Sequence, residues 1–284
     1  MTPMRNRRRL RLIFVPVWLL GMLAAIAWIV PFIWMLSTSL KSTKQILTTN
    51  IQWWPRPFIL SNYRFVFAGP VVQWMVNSLI VTVLGTVIGV ALGALAGYAL
   101  TRLRFFGRDA MFSVILASIM IPANLAVVPL YIAFLKLGVI NNYPALILPT
   151  IANVITVYIF RQFFLGFPVE IEDAARVDGA TRWTVFIRIA VPMARSAALA
   201  STILLFTTNW NAYLWPLLIT FTQQMYTLPV GVAQYSSVSG NYTQVSSFGP
   251  AMAASTLLAV PSLLIFLFLQ RYFVRGIART GLQG

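Results

Sequence analysis

Apolar residues fill six long blocks of this chain, at about 12–36, 72–100, 110–135, 145–165, 196–219 and 249–269, with short polar stretches between them. Each block is close to the ~20 residues a helix needs to cross a bilayer. No acid and no histidine falls inside any of them. The pattern predicts an all-α, polytopic membrane bundle of six transmembrane helices. An even number of spans puts both ends of the chain on the same side. The first block follows a run of arginines and contains Ala24-Ala25-Ile26-Ala27, as a cleaved signal would. Its apolar run continues to Leu36, longer than the core of a signal peptide, so it is read as a retained helix.

Charge then orients the bundle. Arg5, Arg7, Arg8, Arg9 and Arg11 precede the first block. On the same side of a six-span chain lie Arg102, Arg104, Arg108, Arg161, Arg176, Arg182, Arg188, Arg195, Arg271, Arg275 and Arg279. The opposite side holds only Lys41, Lys44, Arg56, Arg64 and Lys136 of the 21 basic residues. Basic residues accumulate on the cytosolic side of membrane proteins, so both termini are expected in the cytosol. The formal net charge of +16 is read as this topological signal and not as a nucleic-acid surface.

Composition mainly excludes. The chain is 59% hydrophobic and 9% charged, with a mean hydropathy of +0.81, as a multi-span membrane protein is. It is read as one transmembrane domain over 1–284, with a cytosolic arm at 1–11, a cytosolic loop at 166–192 and a cytosolic tail at 270–284. Without cysteine or histidine it has no thiolate and none of the commonest metal ligands. None of its lysines follows a phosphate-cradling glycine loop. No metal site, bound cofactor or catalytic residue is expected. Energy for uphill transport is expected from outside the chain, because ion-driven carriers usually keep an ionisable group within the membrane.

Several segments carry more than hydropathy. Gly85, Gly89, Gly93 and Gly97 recur every four residues along the second block. They allow close backbone approach, either inside the chain or at a subunit interface. Two outer segments are long, 37–71 and 220–248, with Trp53-Trp54-Pro55-Arg56-Pro57 in one and Gly240-Asn241-Tyr242-Thr243-Gln244 in the other. The tryptophan pair fits an interfacial anchor or a docking surface. In the fifth block, Asn209, Trp210, Asn211, Tyr213 and Trp215 set amides beside aromatic faces. That combination suits sugar hydroxyls and C–H faces. It equally suits hydrogen bonding and packing between helices.

Four of the five acids, Glu170, Glu172, Asp173 and Asp178, lie within nine positions between the fourth and fifth blocks. Pro168 suits a helix start, and the acids that follow favour its positive end. Ala174 and Ala175 keep the helix thin, and Asp178-Gly179 is a stop and turn. A second amphipathic stretch carries Trp183, Val185, Phe186 and Ile189 and is expected to end at Pro192. The unit reads as helix, glycine turn, helix, able to pass a push from a cytosolic partner into the bundle. The alternative is an ordinary solvated loop.

Asp173-Ala174-Ala175, three residues, Gly179, nine residues, then Ile189-Ala190-Val191-Pro192 resembles the EAA loop of bacterial ABC importer permeases, Glu-Ala-Ala, x3, Gly, x9, Ile-x-Leu-Pro. Asp stands for Glu and Val for Leu. The likeness extends to Pro31 through Lys41, Asn62-Tyr63, Asn77-Ser78, Ile121-Pro122, Trp210-Asn211, Leu214-Trp215-Pro216, Thr227 through Gly231 and Gln270 through Gly276. Together these resemble the second permease of the maltose-type carbohydrate-uptake family. The resemblance implies a type I importer transmembrane architecture, a second homologous permease, two cytosolic ATPase subunits that bind ATP and magnesium, and an extracytoplasmic solute-binding protein reached by the 220–248 loop. It implies that Glu170, Glu172, Asp173, Ala174, Ala175, Asp178, Gly179 and Pro192 form the ATPase-coupling set. A glycerol-phosphate or other polar-solute permease is the related alternative, and an unpowered channel or carrier the distant one. The segment Ala278 to Gly284 resembles a tail that reaches between the ATPases, with Gln283 where that tail has lysine.

Overall fold

The computed structural model describes residues 4–236 and 248–280, with side chains described at 16–122, 124–235 and 248–268. Gly240 to Gln244 and Gln283 lie outside the described residues. Among those described, the chain is all helix, turn and loop, with no strand. It packs as two compact units. One holds Met1–Gly69 and Val232–Leu257; the other holds Pro70–Gly231 and Leu258–Gly284.

The first unit is led by α1 (Met4–Ser39), whose apolar stretch is a candidate span from Pro16 to Ser39. Its last residues enter a tight polar knot. Asn62 donates to the Ser39 and Lys41 carbonyls at 2.9 Å each, and the hydroxyls of Ser39 and Tyr63 lie 2.8 Å apart. Lys41 is buried under the Trp34 ring, 4.1 Å from its centroid, and burial pushes its ammonium below the usual lysine range. A one-turn helix, α2 (Thr43–Ile46), is started by a Ser42–Gln45 capping box. Helix α3 (Ser61–Ala68) follows.

The second unit is built around α4 (Val71–Arg102), 32 residues long and preceded by Pro70. Its outer end is tied to the 223–228 segment. Trp74 donates to the Gln223 carbonyl at 2.9 Å, Asn77 to the Gln224 and Tyr226 carbonyls at 2.7 and 2.8 Å, and the Leu228 N–H to the Ser78 hydroxyl at 2.7 Å. Asn77 also accepts from Tyr143 at 2.8 Å and from Gln73 at 2.9 Å. This buried amide is therefore well satisfied.

The third predicted span is not one straight helix. It is α5 (Arg108–Ala117) and α6 (Val127–Lys136), with short 3-10 turns between them. Ile121 is extended ahead of Pro122, which restricts the preceding residue and lacks an N–H, so the helix breaks there. The fourth is α7 (Tyr143–Ile151) and α8 (Val154–Leu165), one candidate span from Tyr143 to Leu165 interrupted at Ala152. The Asn153 carboxamide caps α8 by accepting from the Thr156 N–H at 2.9 Å.

After α8 come α9 (Val169–Val177), α10 (Arg182–Val185), a π-helical turn at Phe186–Ala190 and α11 (Val191–Met193). The expectation that Pro192 ends this stretch is corrected. Helical conformation runs through Pro192 to Met193, and the chain bends only at Ala194 (φ −77°, ψ 20°). The π turn just ahead of the proline takes up the irregular hydrogen bonding that the missing N–H causes. Beyond a 74° bend, α12 (Arg195–Trp210) forms the longer part of the fifth predicted span. That span breaks at Asn211–Tyr213 before α13 (Leu214–Ile219). Helix α14 (Leu228–Ser236) and the long α15 (Phe248–Thr280) complete the described chain. Among the described residues, four helical stretches are long and apolar enough to span a membrane, and up to six if each bent pair counts as one.

The four glycines of α4 face other helices of the same chain. A Cβ at Gly85 would collide with the Thr150 hydroxyl, and one at Gly93 with the Thr156 methyl. One at Gly89 would stand 2.9 Å from Leu205 Cδ1, and one at Gly97 2.7 Å from Phe160 Cβ. Helices α7, α8 and α12 thus approach α4 nearly backbone to side chain, at the separation glycine permits.

Candidate functional site

Helix α9 buries only one of its residues, and that residue is Glu172. A short surface helix normally anchors through apolar side chains; this one anchors through a carboxylate. Arg102, at the end of α4, donates from Nε to Glu172 Oε1 at 2.8 Å, and the Tyr98 hydroxyl donates to Oε2 at 3.0 Å. Tyr98 and Arg102 are one helical turn apart and so share a face of α4. Arg102 also donates to the Phe167 carbonyl just before α9. Glu172 is buried and Arg102 part-buried, the side chains 3% and 12% exposed. A buried pair with its remaining hydrogen bonds supplied is held firmly, and removing one partner strands a charge.

The other end of α9 is closed by a Schellman motif. The Ala180 N–H donates to the Ala175 carbonyl and the Gly179 N–H to the Arg176 carbonyl, both at 3.0 Å. Gly179 has φ +83°, with no atom within 4 Å of where a Cβ would stand. Glycine is required here for backbone conformation and not for space. Thr181 then caps α10 by accepting from the Thr184 N–H at 3.2 Å.

Between these ends α9 offers a nearly bare surface. Glu170, Asp173, Ala174 and Asp178 are exposed, and Val177 is 88% exposed. Asp173 makes only a long 3.4 Å ion pair with Arg176. Of the acids expected in the coupling set, Glu170, Asp173 and Asp178 face outward, and Glu172 faces the chain's own α4. Ala174 is exposed and Ala175 half-buried. Downstream the polypeptide is embedded: Phe186, Ala190, Ala194 and Ala197 pack with Ala94, Tyr98, Phe160 and Phe164. Tyr98 meets both Phe164 (5.3 Å, edge-on) and Phe186 (5.0 Å). Tyr98 therefore touches α9 through its hydroxyl and the π turn through its ring. Sequence reasoning missed Tyr98 and counted Arg102 only as a topological charge. The signal was present: an aromatic hydroxyl and an arginine four apart at a span's end, with one dense acidic island to receive them.

The five candidate solute residues divide. Trp210 is buried, stacked on Phe206 with planes 8° apart, and donates to the Leu258 carbonyl at 2.8 Å. Trp215 donates to the Ala145 carbonyl at 2.9 Å and packs edge-on against Phe134. Asn209 is buried, its Nδ2 without a hydrogen-bond partner among the described residues. Asn211 and Tyr213 are exposed in the break between α12 and α13, and Asn211 donates to the Thr207 carbonyl at 2.7 Å.

The site is thus a short, exposed helix clasped to the end of α4. Residues 85–279, which include α9 and its clasp, match the family described as the binding-protein-dependent transport system inner membrane component. The chain belongs to that family. This permease is 32% identical over 267 residues to the arabinooligosaccharides transport system permease protein AraQ of Bacillus subtilis, covering 93% of each chain. It is 35% identical over 257 residues to the lactose transport system permease protein LacG of Rhizobium radiobacter, covering 89% of this chain and 91% of that one. Its fold is similar to a chain from the crystal structure of a bacterial ABC transporter involved in the import of the acidic polysaccharide alginate, with a TM-score of 0.83 at 22% identity over 96% of this chain and 100% of that one. The resemblance read from the EAA-type loop is thereby confirmed for the family, and the all-α importer-permease fold for the architecture.

Proposed function

We propose that this permease forms half of the translocation pathway of an ATP-driven importer for a sugar or oligosaccharide, and that α9 is the element through which ATPase movement enters it. The observation that carries the reading is the clasp: a helix exposed on all but its Glu172 and Ala175 positions, yet fixed to α4 by a buried ion pair. An exposed surface on a rigid lever suits a partner that pushes. Glu170, Asp173 and Asp178 give that surface negative charge, so its partner face is basic or rich in donors. A push on α9 is passed to α4 through Glu172 and to α12 through the π turn and the bend at Ala194.

The sugar class rests on the relatives AraQ and LacG. A second, homologous permease completes the path, two ATPase subunits supply ATP and magnesium chemistry, and an extracytoplasmic binding protein delivers solute. This chain itself is non-catalytic and holds no cofactor. Its arginine distribution supports a cytosolic position for both termini. Of the five candidates, Asn211 and Tyr213 are the ones with faces open to a solute. Trp210 and Trp215, with their indole N–H groups bound internally, hold the helices.

The test is co-purification in mild detergent. The tagged wild-type chain should carry its ATPase subunits, and Asp173→Arg should lose them while still carrying the second permease. Retention of the ATPases by Asp173→Arg, with unchanged uptake, removes α9 as the docking element. Asn211→Ala should reduce uptake at limiting solute with the complex intact; unchanged uptake would assign Asn211 to packing.

A further inference from the structure

We propose that the loop from Leu40 to Leu60 is a membrane-surface anchor that seats its aromatic residues among anionic phospholipid headgroups. The loop is a closed, built structure. The Ile59 N–H donates to the Leu40 carbonyl at 3.1 Å, so its ends meet. Gln45 crosses the middle, donating to the Arg56 carbonyl at 2.8 Å. Pro55 is buried beneath it. This scaffold presents large apolar side chains outward: Ile51 is 72% exposed, Trp54 69% and Phe58 63%. A rigid frame that displays contiguous apolar side chains marks an interaction surface.

The depth of the loop decides its occupant. Trp53 packs edge-on against Trp34 of α1 at 5.3 Å, and the Ser37 hydroxyl donates to the Trp53 carbonyl. The loop is therefore pinned alongside the last turns of α1. The span is closed by Ser37-Thr38-Ser39, three hydroxyl side chains that mark the end of the apolar run. Those last turns stand at the headgroup layer, where tryptophan is favoured. Charge agrees. Lys44, Arg56 and Arg64 are exposed, and no acid occurs anywhere before Asp109. Cations beside an aromatic wedge match lipid phosphates.

The chain has no cysteine, so one reporter can be placed cleanly. Gln52→Cys, carrying an environment-sensitive fluorophore, is measured in the assembled complex in phosphatidylethanolamine–phosphatidylglycerol bilayers. Blue-shifted emission is expected, quenched by lipids bearing a headgroup nitroxide and little affected by aqueous iodide. Adding Trp54→Ala should abolish the lipid quenching. Lys44→Gln with Arg56→Gln should remove its dependence on phosphatidylglycerol. Water-like emission quenched by iodide overturns the proposal. So does a blue shift that appears only on adding the solute-binding protein, which assigns the face to a protein partner.

Discussion

At the residue scale, Glu172 and Gly179 carry the account, and they were legible to different degrees. Gly179 could be read from the chain alone. A stop signal after a short helix needs a residue that accepts positive φ, and the structure puts it at +83° within a Schellman motif. Gly179→Val should cost about 1 kcal/mol or more through backbone strain, and Gly179→Asn much less, because asparagine tolerates that region. Uptake assays of the two variants at equal expression should rank them in that order. Glu172 was visible as an acid but not as an inward-facing one. Its direction is set by Tyr98 and Arg102, some seventy positions earlier in the chain, so it is read only by matching that pair with the acidic island and not from the island itself. Arg102→Met should destabilise the complex by roughly 3–5 kcal/mol, because it leaves the buried Glu172 carboxylate without its cation, and Glu172→Met by less, because Arg102 is only part-buried and keeps its bond to the Phe167 carbonyl. The double variant should recover much of that loss. Thermal unfolding of the purified complex measures it; additive losses in the double variant would mean that the pair is not coupled.

Among the elements, α4 is the spine. Its glycine positions fit so closely against α7, α8 and α12 that a larger side chain has nowhere to go. Gly93→Leu and Gly97→Leu should each cost more than the about 1–3 kcal/mol typical of overpacking, since the neighbours include the backbone N–H of Arg161, 2.8 Å from a Cβ at Gly97. Poor membrane yield and early aggregation on size exclusion are expected. Gly21, with nothing within 4 Å of its Cβ position, should accept leucine without loss. The spacing of these glycines could be read from sequence; the identity of the helices they meet could not, because small-residue stripes do not name a partner. Prolines behaved similarly. Pro122 breaks its helix as its chemistry dictates. Pro192 does not, because the π turn ahead of it accommodates the missing donor and the packed Phe186, Ala190 and Ala194 hold the path.

For the molecule as a whole, hydropathy located the apolar segments well, and charge distribution supplied an orientation that geometry alone cannot. Cysteines at Asn50 and Val177, both exposed, test it directly. An impermeant thiol reagent applied to intact cells should label Asn50→Cys and leave Val177→Cys untouched until the cells are opened; the reverse pattern would invert the topology. What hydropathy could not show is how α9 is joined to the spans. That junction, a buried clasp with an exposed outer face, is the central claim, and the most direct measurement of it is solute transported per ATP hydrolysed in proteoliposomes. With Glu172→Gln, a carboxamide keeps the shape of the side chain but loses its charge, so the helix can still bind its partner while the lever is loosened. ATP hydrolysis should persist while uptake falls severalfold, lowering the ratio. An unchanged ratio, with uptake and hydrolysis falling together or not at all, would contradict transmission through the Glu172–Arg102 clasp.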